Sequence, residues 1–335
     1  MVRQIPKLED VAAKAGVSTA TVSRCLNQPE KVVADTRERV MKAVTELGYS
    51  PNFGARALAS RQTRTIAAVI PTMENAIFAQ GLQAFQEELS KEGFTLLVAT
   101  SGYDLGAEES QIRSLVARGA DGLLLIGHDR EPGVYEFLRT QGVPVLVAWA
   151  YDPKAQIPSV GFDNEQAMVD MARLVVQNGH RKTAVLTVDA AIDDRARHRI
   201  VGLKKVFKEA GVKEPEILEC TLSITGGANS FAKLMDTEDR PSAVMCLNDV
   251  IAVGAIMQAR EMGISVPEQV SITGFADIEL AKVIDPALTT VHLPHSEMGR
   301  QAAKTLIDMA RGNQSPDSIC LPTFIQERGS LKRLN

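Results

Sequence analysis

At 335 residues the chain is too long for one ordinary hydrophobic core, so two or three domains are expected. With 45% hydrophobic, 23% charged and only 4% aromatic residues, it is globular with a mostly aliphatic interior, which excludes a disordered or fibrous chain. The formal net charge of −4 gives no hint of a nucleic-acid partner when taken whole, but residues 1–64 hold 11 Lys and Arg against 6 Asp and Glu, a net +5 on a body of −9. A small basic head on an acidic body is the charge footprint of a domain that meets a polyanion. Cys25, Cys220, Cys246 and Cys320 form no CxxC or Cys/His cluster and read as free thiols of a reducing compartment. The start MVRQIPKLED lacks the apolar core of a signal peptide, and no apolar run is long enough to span a bilayer. A cytoplasmic protein with no membrane partner is therefore expected.

Residues 1–50 read as three short helices. In LEDVAAKA, Leu8, Val11, Ala12 and Ala15 form a narrow apolar stripe at helical spacing. Gly16 supplies a tight turn, and Ser18 stands where an N-cap belongs, with Val17 and Val22 placed as a hydrophobic staple. The helix after it is built from small hydroxyl residues and a single Arg24. A third helix, ADTRERVMKAVTEL, carries Val40, Ala43, Val44 and Leu47 on one face and stops at Gly48. Helix, glycine turn, capped second helix and third helix make a helix-turn-helix pattern. Residues 51–64 form a linker: Pro51 blocks helix continuation, Asn52 is placed to cap a brief helix, and FGARALAS is too short to be stable alone.

From Thr65 the texture changes. The runs TIAAVIP, TLLVAT, GLLLIG, PVLVAW, PSVGFDN, TAVLTV, AVMCLN and VSITGF alternate with helical segments. Near-continuous apolar strands separated by helices predict parallel sheets covered on both faces. The units fall into two similar halves split near residue 163. Two doubly wound subdomains would place a ligand cleft at the carboxyl ends of their strands.

These residues resemble the LacI/GalR family of transcriptional regulators. The resemblance rests on LEDVAAKAGVSTATVSRCLN, ADTRERVMKAVTELGYSPN, ARALAS, RGADGLLLIG, HRIVGL, LNDVIAVGA, VPEQVSITGFAD and PALTTVHLPHSEMG, and spans about residues 6–329. It implies an all-α helix-turn-helix head (1–50), a hinge (51–64) and an α/β core of the periplasmic-binding-protein kind. The implied core has an N-subdomain at 65–163 with 293–321 and a C-subdomain at 164–292 with 322–335. It also implies a homodimer on palindromic double-stranded operator DNA, switched by a small effector, with no cofactor and no metal. The end GSLKRLN carries no heptad tail, which argues against a tetramerising coil.

The first residues of a recognition helix face base edges in the major groove, which here are Thr19 and Ala20, with Arg24 one turn on. The resemblance places base contacts at the same three positions. Arg24 is the long donor able to grip guanine O6 and N7, worth about 1–3 kcal/mol of discrimination. Ser18, Thr21, Ser23 and Asn27 suit phosphate oxygens, although Ser18 serves equally well as a cap. By resemblance Leu58 wedges a minor-groove step and Arg56 meets phosphate or the partner helix, while Ala59 stands where related repressors often carry Lys.

For the effector, the candidate contacts are Ile77, Phe78, Trp149, Arg199 and Asn248, with Asp277 one place past the family's position. Two positions that are often Asp in sugar- and purine-binding members are Ala148 and Ala276, and DDRARHR adds Arg195 and Arg197. Fewer carboxylates and more guanidinium groups favour an anion, such as a sugar acid or sugar phosphate. The alternatives are a neutral sugar or purine-type effector, with Arg195 and Arg197 merely paired to Asp193 and Asp194, or Trp149 serving as core. No GxGxxG after a strand, P-loop, GxSxG or metal-spaced histidines support an enzyme, and a solute-binding protein would have no basic head.

Overall fold

A computed structural model describes residues 6–50, 62–74, 76–313 and 317–334. It divides into two compact units, residues 1–63 and 64–335. The first is all-α and the second is α/β, so the expected fold class is the observed one.

In the first unit, α1 (Leu8–Ala15), α2 (Thr19–Asn27) and α3 (Ala34–Leu47) enclose a small core of Val11, Ala12, Ala15, Val22, Cys25, Val40 and Ala43. Gly16 ends α1 at φ 64, a left-handed conformation that a Cβ would strain. The amide of Val17 then donates to Ala12 O, closing the turn. Val17 packs against the same core as the fully buried Val22, so the staple fixes the angle at which the chain enters α2.

The second unit carries two sheets. Sheet 1 contains β1 (Thr65–Ile70), β2 (Thr95–Thr100), β3 (Gly122–Ile126), β4 (Val145–Ala148), β5 (Ser159–Gly161) and β11 (Ile319–Cys320). Its order is β11-β5-β4-β3-β1-β2, and its pairs are parallel. Sheet 2 contains β6 (Thr183–Thr187), β7 (Glu216–Glu219), β8 (Ala243–Cys246), β9 (Ser271–Ala276), β10 (Thr289–His292) and β12 (Phe324–Gln326). Its order is β12-β10-β9-β8-β6-β7, and only the β10–β12 pair is antiparallel.

The period-two alternation of strand side chains sorts each sheet's residues between two helix layers. Ile66, Ala68 and Ile70 of β1 face α4 (Ala76–Lys91) and α12 (His295–Ala310). Ala67 and Val69 face α5 (Leu105–Ala117) and α6 (Pro132–Gln141) instead. In sheet 2, Val185 and Met245 face α7 (Asn164–Gln177) and α8 (Asp194–Glu209). Ala184, Val244 and Ile272 face α9 (Ile224–Met235) and α10 (Asp249–Glu261). A single-turn α11 (Glu279–Val283) comes after β9. Among the described residues, no helix is long and apolar enough to cross a membrane.

Two strand expectations need correction. TLLVAT forms β2, but at a sheet edge, where Leu97 is 38% exposed; the apolar run does not mean burial on both faces. EILE (β7) and TTVH (β10) are strands that carry no long apolar run. One is an edge with Glu at both ends, and the other is held by its register with β9 and β12.

His295, the first residue of α12, ties that helix to β9, its Nε2 lying 3.1 Å from Ala276 O. Nδ1 has no partner among the described residues, as expected of a neutral ring donating through Nε2. Burial lowers its pKa to about 4 from 6.5. A depressed histidine pKa supports the fold above the unfolded value and loses that support as pH falls toward the folded value. Between pH 7 and pH 4.5 the wild type should therefore lose about 2–3 kcal/mol of stability relative to His295→Gln. Urea midpoints of both proteins at the two pH values test this.

Candidate functional site

The exposed side of α2 forms one candidate surface. Ser18 Oγ accepts the Thr21 amide at 3.2 Å and lies 3.0 Å from Thr21 Oγ1, so its cap role is realised in the structure. Asn27 donates to Ser23 Oγ at 3.3 Å. Thr19, Ala20 and Arg24 are exposed, while Thr21 and Ser23 are partly covered. With Val22 and Cys25 facing the core, α2 presents small side chains and one guanidinium to solvent. Asn52, Arg56 and Leu58 lie outside the described residues.

The other candidate is a cleft between the carboxyl ends of the two sheets' strands. The strand ends position its lining. Ile77 and Phe78 enter on α4 after β1, Trp149 comes directly after β4, Thr187 ends β6, Asn248 lies just beyond β8, and Phe275 and Ala276 end β9. Trp149 is 3% exposed and meets Phe78 edge to face at 5.3 Å, so it is packed as core and lines the cleft as well. It fits because position 81 is glycine: a Cβ there would fall 2.6 Å from Trp149 Cζ2. The backbone of α4 also touches α12 at this point, where a Cβ on Gly299 would fall 2.1 Å from Gly81 O.

The arginines divide. Arg199 lines the cleft, donates through Nε to Asn164 Oδ1 at 2.9 Å and through Nη1 to Leu247 O at 2.8 Å. Its guanidinium lies 3.9 Å from the centre of the Phe275 ring. Burial lowers its pKa to about 10, which leaves it charged at neutral pH, and no carboxylate pairs with it among the described residues. Asn164 in turn donates to Trp149 O at 3.0 Å, so one hydrogen-bonded chain joins both sheets' loops.

Arg195 also lines the cleft, but Asp193 grips it at 2.9 and 2.7 Å. Burial works to raise the Asp193 pKa, yet the Arg195 charge and hydrogen bonds outweigh it and hold the carboxyl below its usual range. Burial likewise opposes the charge on Arg195, and Asp193 with Asp194 more than compensates. Its positive charge is thus neutralised locally. Two expectations are corrected here. Arg197 does not line the cleft; its Nη2 donates to both carboxylate oxygens of Asp129, at 2.8 and 2.7 Å. Asp277 does not line it either, because Arg328 at 2.6 Å and His292 at 2.8 Å hold its carboxylate elsewhere.

Sequence reasoning missed Tyr103, Thr187 and Phe275 in the cleft wall. The rule that ligands sit beyond the carboxyl ends of parallel strands would have found Thr187 and Phe275. Tyr103 was not legible. It sits in the loop after β2 at φ 64, and burial pushes its phenol up to about 12. Among the described residues, no group of three or more His, Cys, Asp or Glu is placed to hold a metal ion.

The family profile described as periplasmic binding proteins and sugar binding domain of LacI family matches residues 63–328. A second, bacterial regulatory proteins, lacI family, matches residues 7–52. The HTH-type transcriptional repressor CytR of Escherichia coli K12 is 32% identical over 308 residues, covering 91% of this chain and 90% of CytR. The HTH-type transcriptional regulator GntR of Pseudomonas aeruginosa is 31% identical over 316 residues, covering 93% and 92%. The crystal structure of the Lac repressor dimer bound to operator and the anti-inducer ONPF superposes with a TM-score of 0.87 at 25% identity, covering 98% of this chain and 99% of that one.

The fit of Trp149 against Gly81 has a direct consequence. Gly81→Ala should cost about 1–3 kcal/mol by overpacking and displace the protein's single Trp. A shifted intrinsic fluorescence maximum together with a lower melting temperature is the expected outcome; an unchanged spectrum would contradict this packing.

Proposed function

The chain belongs to the LacI family of bacterial regulatory proteins, DNA-binding transcriptional repressors, and from that premise we propose how its own residues read DNA and sense an effector. It acts as a homodimer on a palindromic operator. Thr19, Ala20 and Arg24 meet base edges, and Ser18, Thr21, Ser23 and Asn27 position the head on phosphates. The support is the exposed face of α2, where small residues permit close approach and Arg24 supplies the long donor. Ser18 Oγ accepts the cap bond, and its hydroxyl shares one hydrogen bond with that of Thr21, which leaves one hydroxyl hydrogen between the two residues for a phosphate oxygen.

The homodimer is supported by likeness to a repressor solved as a dimer on its operator. The core subdomains are taken as 65–163 with 293–321 and 164–292 with 322–335.

The effector is a small anion bound in the cleft, with Ile77, Phe78, Trp149, Arg199 and Asn248 as its contacts and a sugar acid or sugar phosphate as the first candidates. The observation that carries this is Arg199, a charged guanidinium at the cleft wall that makes no ion pair among the described residues and feels Asp193 only at longer range, whereas Arg195 is paired directly with Asp193. An anion would give that guanidinium the direct ionic partner it lacks.

Arg24→Ala should lose the preference for operator over unrelated DNA, about 1–3 kcal/mol per guanine contact, with effector binding unchanged. Fluorescence anisotropy with operator and scrambled duplexes measures it, and equal operator affinity would remove Arg24 from the reading role. Arg199→Gln should weaken binding of any anionic effector by calorimetry while operator binding in its absence persists.

A further inference from the structure

Asn164 does not line the cleft, yet it holds two residues that do. It is the first residue of α7, where the chain leaves β5 of sheet 1 for the helices of sheet 2, and it is 3% exposed. Its Nδ2 donates to Trp149 O at 3.0 Å and lies 3.4 Å from Phe162 O, while its Oδ1 accepts from Arg199 Nε at 2.9 Å. The orientation of the amide is forced. Turned over, it would set an N–H against the Arg199 donor and an oxygen against two carbonyl oxygens.

Two glycines bring these partners within reach. A Cβ on Gly161 of β5 would strike Ala150 O, so the strand before Asn164 lies directly on the turn that carries Trp149. A Cβ on Gly202 would strike Glu165 O, so the backbone of α8, one turn beyond Arg199, lies directly on the first turn of α7. Trp149 sits at φ 60, a left-handed conformation that costs a residue with a Cβ, and the bond from Asn164 to its carbonyl helps to hold it there.

We propose that Asn164 is a positioning residue that sets the cleft's preference for an anion: it aims Arg199 with a neutral oxygen, where a carboxylate would pair with it. This rests on the anion reading above. A side chain that had only to fasten Arg199 would do so more firmly as a carboxylate, because hydrogen bonds between charged partners are the stronger ones. Asp193 does this for Arg195. At position 164 a carboxylate would have no hydrogen for Trp149 O and would give Arg199 the ion pair that the ligand is to supply. An amide of the same size and shape does neither. It ties the turn after β4 to α8 and leaves the charge of Arg199 without a direct ionic partner.

The test titrates full-length wild type, Asn164→Asp and Asn164→Ser with gluconate, glucose 6-phosphate and glucose by calorimetry. Wild type should bind one of the two anions at least about tenfold tighter than glucose, and Asn164→Asp should weaken that anion at least about tenfold. Asn164→Ser, which removes the amide without adding charge, should weaken it less than Asn164→Asp does. A residue that serves packing alone predicts the reverse order, because Asp keeps the size of Asn and Ser leaves a void. Asn164→Ser binding more weakly than Asn164→Asp, or Asn164→Asp binding within about twofold of wild type, overturns this inference and leaves the anion reading standing. Glucose binding wild type as tightly as either anion overturns the anion reading and this inference with it. If Asn164→Asp does not fold, or no probe gives heat, the ligand-free proteins decide by nitrogen-15 NMR. The Arg199 Nε–H signal, assigned by its absence in Arg199→Lys, should be protected from solvent exchange in wild type and lose that protection in Asn164→Ser. An unprotected signal in wild type, or one unchanged in Asn164→Ser, overturns the positioning role.

Discussion

A guanidinium in a cleft with few polar neighbours has to be stabilised by fixed dipoles, and the core is arranged around meeting that requirement for Arg199. It is helped by the Asn164 amide oxygen, the Leu247 carbonyl and the face of Phe275, none of which carries charge. These groups fix its position without forming an ion pair. The Asn164 amide is fully polarised, since its Nδ2 donates to Trp149 O while its oxygen accepts from Arg199. The orientation of the amide therefore couples the loop after β4 to the start of α8.

The surrounding charges are held by partners of different strength. Asp193 and Arg195 are almost completely buried together, and breaking that pair would leave an uncompensated buried charge. Asp129 and Arg197, at the side of the cleft, have side chains 36% and 42% exposed. Pairs of that exposure contribute about 0–1 kcal/mol, so this link between the loop after β3 and α8 opens at little cost. Asp194 also spans this region, accepting the His128 amide at 2.6 Å and packing against Gly127, where a Cβ would fall 2.3 Å from its carboxylate.

Much of the architecture was legible because it arises from local patterns. Leu8, Val11, Ala12 and Ala15 at helical spacing, the Gly16 turn and the Ser18 cap are short-range features, and they define the head whatever the rest of the chain does. Apolar runs such as TIAAVI and GLLLI needed only the two-residue alternation to become the central strands of sheet 1. EILE and TTVH escaped because their strand state is imposed by neighbours through register, not by their own side chains. Leu97 misled for the converse reason: its run is apolar, but its strand is the last in the sheet and has nothing beyond it.

The sequence by itself determined the family, the helix-turn-helix head with a single Arg on its second helix, and the strand ends around which the cleft lies, because each is written in spacing along a few turns of chain. Only the tertiary structure decided the charge of that cleft. Arg195, Arg197 and Arg199 stand two residues apart in one segment and look alike on paper. Folding gives the first to Asp193, the second to Asp129 and the third to uncharged dipoles, while Asp277 goes to Arg328 far along the chain. Arg195 meets a carboxylate two residues away, a local pairing, but the partners of Arg197 and Asp277 are set by packing between distant segments, which no local pattern encodes.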